Sequence, residues 1–100
     1  MPAPPRTVNA TLVTIFAASE LWTQLEIDLR RLGATAYSWS NTSGRGHHGV
    51  RRNDLLGTAN VRCEALVSAD VARAIFAHLA TDYAGREVAA FEVDVRTLAR

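Results

Sequence analysis

Along residues 9–97 the spacing of apolar side chains switches between a period of two and a period near 3.6 in a set order, and that order admits few folds. Asn9 to Ala17 is rich in β-branched residues, with Val13 and Ile15 on one face, and reads as a strand. Leu21, Leu25, Leu29 and Leu32 then recur at helical spacing, with Trp22 beside them. Ser19 is the expected N-cap of this helix, Glu20 suits its positive first turn, and Glu26 and Arg30 form an i,i+4 pair. Arg30, Arg31 and Gly33 close it. Thr35 to Thr42 alternates, Tyr37 and Trp39 against Ser38 and Ser40, and predicts a second strand. Ala59 to Val67 alternates again, with Val61, Cys63 and Ala65 opposite Asn60, Arg62 and Glu64. Ser68 or Asp70 opens a second helix whose Val71, Ile75 and Leu79 face inward, and Asp82-Tyr83-Ala84-Gly85 ends it. Val88 to Thr97 is the last strand, with Phe91, Val93 and Val95 opposite Glu92, Asp94 and Arg96.

The order β-α-β-β-α-β is that of a ferredoxin-like α+β sandwich: a four-stranded antiparallel sheet with two helices on one face. A chain of 100 residues, 48% of them apolar, can bury one core and not two. Residues 9–100 therefore form a single domain behind a flexible, proline-bearing tail at 1–8. Arg62, Glu64, Glu92, Asp94 and Arg96 are expected to point away from the helices, toward water or another subunit. A net charge of +1 gives no global case for nucleic acid or an anionic membrane, and no run reaches the ~18 apolar residues of a membrane span. Cys63, the single cysteine, excludes an internal disulfide and a CxxC metal site and fits a reducing cytoplasm. On the apolar face of its strand it reads as an inert core thiol.

Residues 43–58 hold four glycines, three arginines and two histidines with little apolar periodicity, and so read as a loop. A hairpin needs only about 2–5 loop residues, and long loops in small domains tend to carry function. Gly44, Gly46 and Gly49 let backbone N–H groups converge on an anion, while Arg45, Arg51 and Arg52 add forked donors suited to phosphate. These glycines spell GxGxxG, but the run leads into Arg51-Arg52-Asn53-Asp54 with no helical period, so it is no dinucleotide fingerprint. The adjacent rings of His47 and His48 diverge in an extended segment and make poor chelators, and His78 reads as a half-buried structural residue. With no paired loop carboxylates and no Ser or Cys beside a His/Asp partner, no catalysis is expected and no resident metal.

The run Gly33-Ala34-Thr35-Ala36-Tyr37, then Thr42-Ser43-Gly44-Arg45-Gly46 and Val50-Arg51, resembles the second strand and T-loop base of PII-like signalling proteins. Asp82-Tyr83-Ala84-Gly85, followed by a strand carrying Phe91-Glu92-Val93, resembles the matching end of those chains. The likeness covers about residues 10–98 and is nearest to the bicarbonate-transporter regulators SbtB and the carboxysome-associated PII-like proteins (CPII). It implies a cytoplasmic homotrimer with ADP or AMP in clefts between subunits, and a T-loop at about 43–58 that signals to a protein target such as a bicarbonate transporter, in the control of inorganic-carbon uptake or carboxysome metabolism. It implies that Gly44, Arg45, Gly46 and Arg51 hold the phosphate end, that Tyr83, Ala84 and Gly85 line the cleft from the neighbouring chain, and that Arg45 and Gly46 also suit bicarbonate. The loop after the second helix lacks the Thr-Gly-x-x-Gly-Asp-Gly-Lys pattern of nitrogen-regulatory PII proteins, which counts against joint ATP and 2-oxoglutarate sensing. Two other readings share the topology. An RNA-recognition motif would stack bases on aromatics of the first and third strands, yet Ala59 to Val67 has none. A metal-responsive ferredoxin-like trimer would use His47 and His48 as ligands.

Overall fold

The structure, a computed structural model, describes residues 2–42, 44–46, 49–51 and 60–99, with 44–46 and 49–51 described by their backbone alone. The elements follow the predicted order: β1 (Thr7–Ala18), α1 (Ser19–Leu32), β2 (Tyr37–Thr42), β3 (Gly44–Gly46), β4 (Gly49–Arg51), β5 (Asn60–Val67), α2 (Ala69–Asp82) and β6 (Val88–Leu98). The main sheet runs β2-β5-β1-β6, antiparallel throughout, and β3 pairs with β4 as a separate ribbon. This ribbon falls inside the segment predicted to be a loop, where glycine content masked a short strand pairing. β1 also starts earlier than expected: Thr7 and Val8, assigned to the tail, pair with Leu98 and Thr97.

Both helices cover one face of the sheet. Val13, Ile15 and Ala17 of β1 and Val61, Cys63 and Ala65 of β5 meet Leu21, Leu25 and Leu29 of α1 and Ala72, Ile75 and Leu79 of α2 in one buried cluster. Burial pushes the Cys63 thiol up to about 11, aided by the charges of Glu26 and Glu64, so it is a protonated core thiol at neutral pH. At the sheet edge Trp39 of β2 lies against Trp22 of α1, ring centroids 5.3 Å apart, and Trp39 remains 49% exposed. Nearby the Tyr37 hydroxyl donates to Glu26 at 2.9 Å. That contact, and not the predicted pairing with Arg30, engages Glu26 among the described residues.

The last strand departs from expectation. Residues opposite one another in adjacent strands share a face. Val13 and Ile15 face the helices and stand opposite Glu92 and Ala90, so Glu92 and Asp94, with Arg96 in the same alternation, are on the helix side. Only Arg62 and Glu64 of the five predicted residues lie on the outer face. Phe91 and Val93 lie there too, 53% and 47% exposed, beside Leu12, Phe16 and Leu66. Alternation identified the two sets but not which one turns inward. The small Val88 and Ala90 fit beneath the helical layer, which stops short of Glu92 and beyond.

Helix α1 begins at Ser19 itself; Ala18 is the N-cap and makes no side-chain cap bond. Ser68 caps α2 as expected, its hydroxyl accepting from the Val71 N–H at 3.2 Å. At the other end of α1, Gly33 has φ 112°, its N–H donates to the Arg30 carbonyl at 3.1 Å, and the Ala34 N–H reaches back to Leu29 at 2.9 Å. This left-handed closure favours glycine, and an added Cβ would lie 3.1 Å from Val71 Cγ2. Gly33→Ala is expected to lower stability by about 1–2 kcal/mol in urea unfolding, from the left-handed backbone alone.

Candidate functional site

Three breaks in the sheet fall at one end of the molecule. β1 ends at Ala18 opposite Asn60, β2 ends at Thr42 opposite the same Asn60, and β6 begins at Val88 opposite Ala17. The Ala18 N–H donates to the Glu87 carbonyl at 3.1 Å and ties the start of α1 to the turn between α2 and β6. The segment carrying the β3–β4 ribbon leaves and re-enters the sheet at this same end, between Thr42 and Asn60. In the ribbon Gly44 stands opposite Arg51, Arg45 opposite Val50 and Gly46 opposite Gly49. Backbone pairing thus gathers the four loop residues predicted for phosphate contact. Ser43, His47, His48 and Arg52 lie outside the described residues.

The α2–β6 turn splits the other three predicted residues. Ala84 and Gly85 are exposed, with Gly85 at φ 75° and open space where a Cβ would stand. Tyr83 points the other way. It is 4% exposed, its hydroxyl donates to Asp28 at 2.8 Å, and its ring meets the His78 ring edge-on at 5.6 Å. Any contribution of Tyr83 to a cleft is therefore made by its backbone. The Arg86 guanidinium lies over the same ring, 5.1 Å from its centre, and the Arg86 N–H closes the turn onto the Tyr83 carbonyl at 3.1 Å.

Asp28 is the residue that sequence reasoning missed. It is 5% exposed between the helices. Gln24 and Arg31 donate to Oδ1 at 2.9 and 3.2 Å; His78 Nε2 and the Tyr83 hydroxyl donate to Oδ2 at 2.9 and 2.8 Å. His78 Nδ1 lies 3.3 Å from Asp82 at the end of α2. A signal was available. Asp28 falls on the inward stripe of Leu25, Leu29 and Leu32, and His78 on the stripe of Ile75 and Leu79. Two polar residues on facing apolar stripes are a reason to look for a buried pair.

Burial by itself would raise the Asp28 carboxyl, but hydrogen bonds from His78, Tyr83 and Gln24, with the charge of His78, hold it below its ordinary value of 3.8. A carboxylate depressed on folding contributes stability above its unfolded value and loses it as pH falls through the folded one. Tyr83 is the mirror case. Burial, then its bond to Asp28, pushes it from 10.0 up to about 12.

The family model of nitrogen regulatory protein P-II matches residues 10–99. The chain belongs to the P-II family. A PII-like signalling protein of Thermus thermophilus shares 35% identity over 92% of each chain, with a TM-score of 0.77. The PII-like protein CPII of Thiomonas intermedia, in a complex with ADP, AMP and bicarbonate, superposes at a TM-score of 0.84 with 16% identity over 96% of this chain and 94% of that one. The GlnK–ATP complex of Bacillus subtilis gives 0.59 at 16% identity, over 87% and 82%. No curated protein sequence matches the chain. Membership of the P-II family agrees with the four-stranded sheet and its two one-sided helices. Among the described residues no helix is long and apolar enough to cross a membrane.

The phenol bond to Asp28 exists only while Tyr83 keeps its proton, so its stabilisation is complete below pH 10 and is lost as pH rises toward about 12. The chain has two tyrosines, and Tyr37 is also raised, by burial and then by its bond to Glu26. Ultraviolet titration of the folded protein should show both phenolates forming above the ordinary tyrosine range. Tyr83→Phe should delete one of these two transitions, and an unshifted titration of the parent would contradict the buried Tyr83–Asp28 contact.

Proposed function

We propose that this P-II family member is a cytoplasmic, non-enzymatic regulator that binds ADP or AMP in clefts between the subunits of a homotrimer. The observation that carries this is the family match over residues 10–99 together with a ribbon that pairs Gly44, Arg45 and Gly46 against Gly49, Val50 and Arg51. Glycines at the ribbon's base let amides approach a phosphate, and Arg45 and Arg51 supply charge that Lys would give less directionally. The exposed Ala84 and Gly85 of a neighbouring protomer line the other wall. The complexes of CPII with ADP, AMP and bicarbonate support adenine nucleotides as the ligand class, with bicarbonate at Arg45 and Gly46 as the second ligand. Signalling then passes through the T-loop at about 43–58 to a protein partner, with a bicarbonate transporter as the target the resemblance favours and inorganic-carbon uptake or carboxysome metabolism as the process.

The trimer reading draws on the outer sheet face. Leu12, Phe16, Leu66, Phe91 and Val93 form an apolar surface with no helix over it. Antiparallel sheets that face water on one side alternate apolar-in with polar-out, whereas the outer face here carries these five apolar side chains around Thr14, Arg62 and Glu64. Burial against other copies is the simplest way to remove that surface from water.

Two measurements test the reading. Light scattering should give a trimeric mass for the parent, and Phe91→Asp, which puts a charge into the apolar face, should shift it to monomer. Calorimetry should detect micromolar ADP or AMP, weakened about tenfold or more in Arg45→Ala, the loss for one charge-assisted contact. Absence of heat with every adenine nucleotide would overturn the proposal.

A further inference from the structure

The acceptor geometry at Asp28 divides into a local half and a distant half. Oδ1 is occupied by Gln24 and Arg31, one turn before and one turn after it on α1, which hold the carboxylate in one orientation. Oδ2 is left to reach out of the helix, to His78 on α2 and to Tyr83 in the turn beyond α2. Tyr83 then carries the Arg86 guanidinium over its ring, and Arg86 is exposed like its neighbours Ala84 and Gly85. Among the described residues Arg86 has no carboxylate partner. Contacts therefore run without a gap from the interior between the helices to a cation on the surface of the α2–β6 turn.

Stability gives a weak reason for this arrangement. Replacing a buried ionic cluster by well-packed apolar side chains is often neutral or stabilising, so a buried carboxylate adds little that a leucine would not. What it adds is a single geometry, because the carboxylate's acceptor directions must all be met by donors at set angles. The elements so held are α2, through His78, and the turn that follows it, through Tyr83, whose ring also joins the core.

We infer that Asp28 is a positioning residue for the ligand site. By holding the Tyr83 hydroxyl it sets the course of the α2–β6 turn and aims Arg86, a further phosphate-binding cation, at the cleft. The ligand chemistry is the phosphate end of an adenine nucleotide, and the inference rests on the nucleotide reading given above. Asp28 touches no ligand and acts through Tyr83 and Arg86.

The test compares ADP affinity of the full chain, by calorimetry well below the unfolding midpoint, for Asp28→Asn, Arg86→Ala and the double variant. Each single change should weaken ADP about fivefold or more, the lower end of coupling between linked sites. The double variant should bind no more weakly than Arg86→Ala alone, because both changes remove the same effect. Asp28→Asn with a lower unfolding midpoint and unchanged ADP affinity would reduce Asp28 to a structural pin and overturn the inference, as would full additivity in the double variant. Tyr83→Phe deletes only the hydroxyl and serves where Asp28→Asn does not fold. It should weaken ADP in the same direction, and parental affinity there also overturns the inference. A parent that binds ADP alongside an unaffected Asp28→Asn defeats this inference alone, whereas a parent that binds no adenine nucleotide defeats the functional reading and this inference with it.

Discussion

β1 is hydrogen-bonded along both edges, and the face on which each sheet residue lies follows from its parity. A slip of one residue on either side would carry Val13, Ile15 and Ala17 out of the core, so the register is held by burial as well as by the ladder. That parity is passed to β6 without regard to side-chain size. Glu92 inherits the helix side from Val13, and Val93 inherits the bare side from Leu12. The chain is left with one face covered by helices and one uncovered, and the uncovered one sets Leu12, Phe16, Leu66, Phe91 and Val93 around Thr14, Arg62 and Glu64.

The two helices meet the sheet through aliphatic contacts, but they meet each other and the following turn through a carboxylate. A charge withdrawn from water costs several kcal/mol unless its lone pairs are filled, and around Asp28 four donors fill them. Meeting that requirement recruits Tyr83, a residue whose neighbours Ala84 and Gly85 stay in solvent. One local demand of electrostatics thereby decides which part of the turn faces inward and which part stays at the surface.

Elements and their order were legible because each strand and helix has a distinct apolar period, and because Gly33 and Ser68 mark a stop and a start. The side on which β6 places Phe91 was not legible. Alternation is symmetric, and only the register with β1, a contact across more than seventy residues of chain, breaks the symmetry. The ribbon residues Gly44, Arg45, Gly46 and Arg51 were singled out by composition and by family resemblance, and what the structure adds is their backbone pairing. The family resemblance of its motif marks Tyr83 as a cleft residue, and the acceptor that draws its side chain inward, Asp28, lies fifty-five positions away. Asp28 and His78 were each visible as polar interruptions of apolar stripes, but nothing local to either names the other.

Trp22 and Trp39 are the chain's two tryptophans, and they form a contact pair between α1 and the edge strand that leads into the ribbon. Their indoles are near enough for their electronic transitions to couple, and the coupling depends on the 50° tilt between the rings. A rearrangement of β2 that moves Trp39 changes this tilt. The protein therefore carries its own optical gauge at the root of the ribbon segment, readable in near-ultraviolet dichroism without any attached dye.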